Sequence, residues 1–239
     1  MSSKRKRLDI ARLRWHSTVI CGVVAALLYS SWPLGYILNP WVGRHELASE
    51  LEAPHQPYAW IFITADVLTG VFIVFVGLLQ LRTRKISRTL FSAVACYVLF
   101  GAQVAGAALA PLHCDPEVQY CGPLKHNPLL VVHGGFSILS VLCLFAATLI
   151  MASVAWRRRR PMLRALFAVV LLGWGTFGAG ACLELYLHIR DNNVLQYFFI
   201  TVCSISLALV VAAIENLSKR APARQPEPLG DLAYNEQEI

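Results

Sequence analysis

Glu184 and His188 stand four residues apart in the stretch "GACLELYLHIRDNN". On a helix that spacing puts a carboxylate and an imidazole on one face, about 6 Å apart along the axis. His133 and Ser137 form a second pair one turn apart, and Ser140 continues their stripe. Asp66 and Gln103 place a carboxylate and an amide in two further apolar stretches. These residue types allow several kinds of chemistry. His133 and His188, with Asp66 or Glu184, have the donors to hold a metal that activates water for ester or amide hydrolysis. His133 is spaced to serve as general base for Ser137. The same groups suit a pocket that hydrogen-bonds a polar ligand without reacting with it. They also suit a proton relay, but the sequence shows neither an inverted repeat nor a polar path through the opposite half of the spans.

The elements that must position these residues are transmembrane helices. The chain has 239 residues, 56% of them hydrophobic and 15% charged. Its mean hydropathy is +0.55. A soluble domain carries about 25% charged residues. Six apolar runs approach or exceed the ~18 residues that cross a bilayer. They cover roughly 18–38, 58–81, 90–112, 129–156, 162–187 and 194–214. The expected fold is all-α: a polytopic bundle of six transmembrane helices with both termini cytoplasmic. A basic cytoplasmic arm occupies 1–16, the transmembrane domain 17–216, and a disordered cytoplasmic tail 217–239. The first run is too long for a cleaved leader and is followed by Trp32, Pro33 and Trp41 rather than a small-residue cleavage site.

The net charge of +7 does not imply nucleic acid as a partner. Eighteen of the 21 Lys and Arg fall in the N-terminal arm, the "RTRKISR" and "RRRRPMLR" loops and the tail, all on one side of the membrane. That asymmetry is the positive-inside signal. The other side holds Arg44, Lys125 and Arg190. Trp32, Tyr36, Trp41, Tyr58 and Trp60 fall on that side at headgroup level. Membrane lipids and a membrane-protein partner are the expected partners.

Aligned by depth, Asp66 lies about 12 Å in from the outer surface and Gln103 about 15 Å in. His133 and Glu184 each lie about one turn inside their spans. His188 sits at the mouth of the fifth. Ionisable groups inside a membrane normally face the bundle interior and pair. The expectation is therefore one polar pocket in the outer half, lined by Asp66, Gln103, His133, Ser137, Glu184 and His188. Gly134 and Gly135 are expected to let a neighbouring helix approach closely. No catalytic residue, metal ligand set or cofactor is assigned. Of seven cysteines, five lie in apolar runs. Cys114 and Cys121 flank "DPEVQY" in an outer loop, where an oxidising environment favours a disulfide. The first outer loop carries "HELASELEA", which suits either a short interfacial helix or a solvated loop.

The segments "LASELEAPHQPYAWIFITADVLTG", "HCDPEVQYC" and "HGGFSILS" resemble a bacterial six-helix integral-membrane family, the domain of unknown function 998. The residues that carry the resemblance are Ser49, Glu50, Asp66, Gly70, Cys114, Cys121, His133 and Ser137. It implies the six-helix fold and names no reaction. The layout is also distantly similar to the Frag-DRAM-Sfk group, which is linked to lipid remodelling. Transmembrane hydrolases of the ceramidase type differ, because this chain lacks their His-x-x-x-His pair. The expected function is a multi-pass cell-membrane protein whose outer-leaflet polar pocket binds a lipid or lipid-linked molecule. The alternatives are an intramembrane metal-dependent lipid hydrolase and an accessory subunit of a larger membrane complex.

The topology is tested by reporter fusions. A reporter after Glu238 should be active only in the cytoplasm, and one near Gln119 only outside. The reverse pattern would invert the depth alignment.

Overall fold

The computed structural model describes residues 2–41, 48–54, 56–83, 87–110, 128–187 and 193–217, and every regular element among them is helical. Six long helices run α1 Ser2–Tyr29, α2 Ala59–Thr83, α3 Arg88–Leu109, α4 Pro128–Arg157, α5 Pro161–Leu187 and α6 Asn193–Leu217. Each contains a segment long and apolar enough to cross a membrane, so this is a multi-pass membrane protein. The Cys114–Cys121 pair, His188 and residues 218–239 lie outside the described residues. The described cysteines, Cys21, Cys96, Cys143, Cys182 and Cys203, are free thiols.

Local chemistry sets the helix ends. Ser87 caps α3 by accepting a hydrogen bond from the Leu90 amide at 3.3 Å. Pro128 and Pro161 open α4 and α5, where a missing N–H costs nothing. The "RRRRP" run makes the tight corner between those two helices. Arg159 takes a left-handed φ of 51° there, a position usually given to glycine. The basic arm is not a separate element: α1 begins at Ser2 and continues through the first span.

The first span breaks before its apolar run ends. Past Tyr29 the chain turns through a 3₁₀ segment, Trp32–Leu34, and a single helical turn, Gly35–Leu38. Pro33 contributes to this break because it cannot donate to the helical ladder. The Ser30 hydroxyl ties the end of α1 to Ser204 of α6 at 2.6 Å. At the same end of the bundle a 3₁₀ strap, Ala48–Glu52, packs on α2 and α6. Leu51 of the strap is buried with Phe62, against Leu38.

Packing is tightest along α2–α3 and α3–α4. α6 is the most enclosed span and α5 the most exposed. The α2–α3 crossing is set by Gly70 and Gly101. A Cβ at Gly70 would stand 2.4 Å from the Gly101 carbonyl oxygen. Close backbone approach at small residues is how helices associate where lipid removes the hydrophobic drive. Gly134 and Gly135 play no such part, since a Cβ on either would meet nothing within 4 Å. The sequence offers two glycine-containing faces, and only side-chain packing decides which one meets a neighbour.

The arginine-flanked end also differs from expectation. Sequence reading finds no polar path through that half of the spans. The structure buries Gln80 and Glu215 there, with Gln80 Nε2 donating to Glu215 Oε1 at 3.5 Å. The Arg158 guanidinium donates to the Leu217 carbonyl, which closes the end of α6.

Gly70→Ala should cost about 1–3 kcal/mol, because the added methyl meets backbone that cannot rotate away. Gly178→Ala, with nothing within 4 Å, should be neutral or stabilising by up to about 1 kcal/mol through helix propensity. Thermal unfolding of both variants in one detergent checks the difference.

Candidate functional site

At the strap end the helices do not close on one another. A cavity of about 130 Å³ remains between α1, α2, α3, α4 and α6, with the strap as part of its wall. One buried water occupies about 10–15 Å³ by such a measure, so the space admits several waters or a small polar head, not a folded acyl chain.

Each wall arrives by a distinct local device. The break after Tyr29 turns Ser31 and Trp32 into the cavity beside Tyr29 itself. Trp32 is held by a stacked contact with Tyr197 of α6, centroids 4.4 Å apart and rings 8° from parallel. From α2 come Phe62 and Asp66, one turn apart. Thr69, almost one turn further, donates to the Ala65 carbonyl at 2.8 Å and lies 3.3 Å from the Ala25 carbonyl, tying α2 to α1. From α4 come His133, Ser137 and Ser140. From α6 comes Gln196, whose Oε1 accepts from the Ala48 amide and pins the start of the strap.

The central interaction is between two acids. The Glu52 carboxyl of the strap reaches down to the Asp66 carboxyl and shares a hydrogen bond with it. Two carboxylates cannot donate to each other, so one of the pair carries a proton. Glu52 is only 8% exposed. That burial pushes its carboxyl up to about 7, against the opposing pull of the Asp66 hydrogen bond. Among the described residues the cavity wall contains no Lys or Arg to neutralise the pair.

His133 does a different job from the one its spacing with Ser137 suggests. Its Nδ1 stands 3.1 Å from both the Ala107 and Ala110 carbonyl oxygens. Both are acceptors, so Nδ1 carries a proton and donates to them. The imidazole thereby caps the C-terminal end of α3, where helix carbonyls lack partners. In the neutral ring Nε2 is then the acceptor. The Ser137 hydroxyl donates to the His133 backbone carbonyl at 2.9 Å, and the Ser140 hydroxyl to the Ser137 carbonyl at 2.7 Å. The serine proton therefore goes to the backbone, not to the imidazole, and no serine–histidine nucleophile is assembled.

Of the residues expected to converge, Asp66, His133 and Ser137 share the cavity wall. Gln103 and Glu184 are not on it. Each is half-buried, with an Oε1 that has no hydrogen-bond partner among the described residues. His188 lies outside those residues, so its pairing with Glu184 is not placed. Among the described residues no three His, Cys, Asp or Glu gather as metal ligands. Glu52 is the wall residue that sequence reading overlooks. Its signal was Leu51: burying that side chain on a short strap must carry the next residue inward too.

A family model described as "Protein of unknown function (DUF998)" matches residues 20–215. No curated protein and no solved structure matches the chain.

His133→Ala should cost about 1–3 kcal/mol by removing the donor to the Ala110 carbonyl, while the Ala107 carbonyl keeps the Ala110 amide. Nitrogen-15 NMR of selectively labelled histidine should find the neutral His133 ring protonated at Nδ1. A ring protonated at Nε2 would contradict the capping geometry.

Proposed function

The chain belongs to the DUF998 family, and on that footing we propose that it is a cell-membrane protein, both termini cytoplasmic, whose strap-end cavity binds the polar head of a lipid or lipid-linked molecule. The observation that carries this reading is the cavity within the bundle that has the Glu52 and Asp66 carboxyls, His133 and serine hydroxyls on its wall. A polar void inside a membrane bundle is stable only when filled, by water or by a ligand that satisfies its groups. The wall offers acceptors in the carboxyl pair and donors in hydroxyls, the Gln196 amide and the Trp32 indole N–H, which has no partner among the described residues. A head group with hydroxyl or amine donors complements the carboxyls. Tyr36, Trp41, Tyr58 and Trp60 are exposed on the same end, the level at which aromatic rings meet headgroups. Lipid tails would then run along the outside of the bundle, since the cavity is too small for them.

The hydrolase reading has less behind it. Its nucleophile pair is not formed, and of its metal set Asp66 and His133 share the cavity wall, Glu184 is not on it and His188 lies outside the described residues.

The test is lipid retention. Protein purified in mild detergent should hold a co-purifying lipid or polyprenyl-linked molecule, detected by native mass spectrometry. The double variant Glu52→Gln/Asp66→Asn should retain it at least about tenfold less, as expected from losing hydrogen bonds to charged groups worth about 1.5–3 kcal/mol. Equal retention by wild type and variant would remove the cavity as the binding site.

A further inference from the structure

We propose that the Ala48–Glu52 strap is a proton-controlled gate over the strap-end cavity, held shut while the buried Glu52 carboxyl beside Asp66 stays neutral. As a regulation of that cavity, the proposal rests on the binding reading above, but it concerns a motion that can be measured without any ligand.

The strap is built to be held at a few points. Its start is pinned by one bond, from the Ala48 amide to Gln196. Its middle is pinned by Leu51, which sits on Phe62 and Leu38. Leu51 fits only because Gly35 leaves room: a Cβ at Gly35 would stand 2.7 Å from a Leu51 methyl. Its end is pinned by Glu52 on Asp66. Beyond it, Asn39 Nδ2 donates to Gln56 Oε1 at 2.9 Å, which ties the returning chain to the segment after α1. Ala48, Ser49 and Glu52 are cavity wall, so lifting the strap opens the cavity.

Of these ties, only the carboxyl pair depends on protons. The groups facing it are Tyr29 at the end of α1, Asp66 on α2 and His133 on α4. α3 contributes Val104 and Ala107 to the wall and α6 contributes Gln196 and Phe199, none of them titratable. α5 contributes nothing to it. No wall cation is present, among the described residues, to stabilise an ionised Glu52.

The direction follows from burial. Glu52 ionises near its ordinary 4.5 when the strap is lifted into water and at about 7 when it is closed. Its carboxyl is therefore raised in the closed state. The closed strap has the full benefit of the protonated Glu52 below about 4.5 and loses it as the pH rises to about 7. Acid latches the strap and neutral pH loosens it. If the strap faces the outside, as the basic flanks direct, the gate reads external acidity.

The experiment is hydrogen–deuterium exchange on the full chain in lipid nanodiscs at several pH values, corrected for intrinsic exchange rates. Peptides covering 48–54 should lose about tenfold or more of their protection between pH 4.5 and 7, while α2 and α3 amides do not change. Glu52→Gln, which keeps a hydrogen bond but cannot ionise, should abolish the pH response. Spin labels at Pro54→Cys and Leu129→Cys in a cysteine-free background give a second readout with Glu52 intact. Their distance distribution should broaden over the same range. A strap equally protected at both pH values overturns the gate, as does a pH response that survives Glu52→Gln. Lipid retained by a chain whose strap ignores pH removes the gate and leaves the binding reading. A pH-responsive strap on a chain that holds no lipid supports the gate and removes the binding reading.

Discussion

A carboxyl group about 12 Å inside a hydrocarbon slab must be met by other polar groups, and the strap end of this bundle is arranged around meeting Asp66. Lipid offers it nothing. The helices around it supply hydroxyls, an imidazole edge and a cavity, but no cation. The missing partner comes from outside the bundle: Glu52 descends from the strap and shares a proton with it. Several features serve that contact. α1 breaks after Tyr29 instead of running on, which makes room. Gly35 has no Cβ where Leu51 must sit. Gln196 turns its side-chain carbonyl to the strap's first amide.

The same rule, that polar groups at depth are satisfied within the protein, explains His133. α3 stops at Leu109, inside the apolar run, and leaves carbonyls without helical partners. His133 on the neighbouring helix donates to the Ala110 carbonyl and shares the Ala107 carbonyl with the Ala110 amide. That use commits Nδ1 and orients the ring, leaving Nε2 as the ring's acceptor. A residue whose type suggests catalysis is thus first a helix cap. Gln80 and Glu215 show the rule at the opposite end, where a buried amide and carboxyl meet between α2 and α6.

The scaffold that holds these contacts is itself uneven. α2, α3 and α4 are in close contact, with glycine against backbone at the Gly70–Gly101 crossing. α6 is enclosed by its neighbours, whereas α5 packs on α4 and α6, with Trp174 between Phe145 and Phe199, Phe177 on Phe199 and the Trp174 indole N–H donating to Ser206 at 3.1 Å. The cavity takes its walls from the tightly packed helices, α1 and α6, not from α5. This is why Glu184, on α5, shares a depth with Asp66 but not a site.

The six spans, their order and their approximate ends were legible from the sequence, because hydrocarbon thickness and apolar run length leave little freedom. The positions of Asp66 and His133 along their helices were legible too, since rise per residue is constant along a helix. Which depth-matched residues meet was not legible. Depth constrains one coordinate, and the rotation of each helix is set by side-chain packing with its neighbours. That is how Asp66, His133 and Ser137 came to share a wall while Gln103 and Glu184 did not. Nor could the sequence show that the partner of Asp66 is Glu52, fourteen residues earlier in a polar segment that also reads as a solvated loop. Only the tertiary structure folds that segment onto the bundle, because burying Leu51 against Phe62 brings the adjacent carboxyl within reach of the one below.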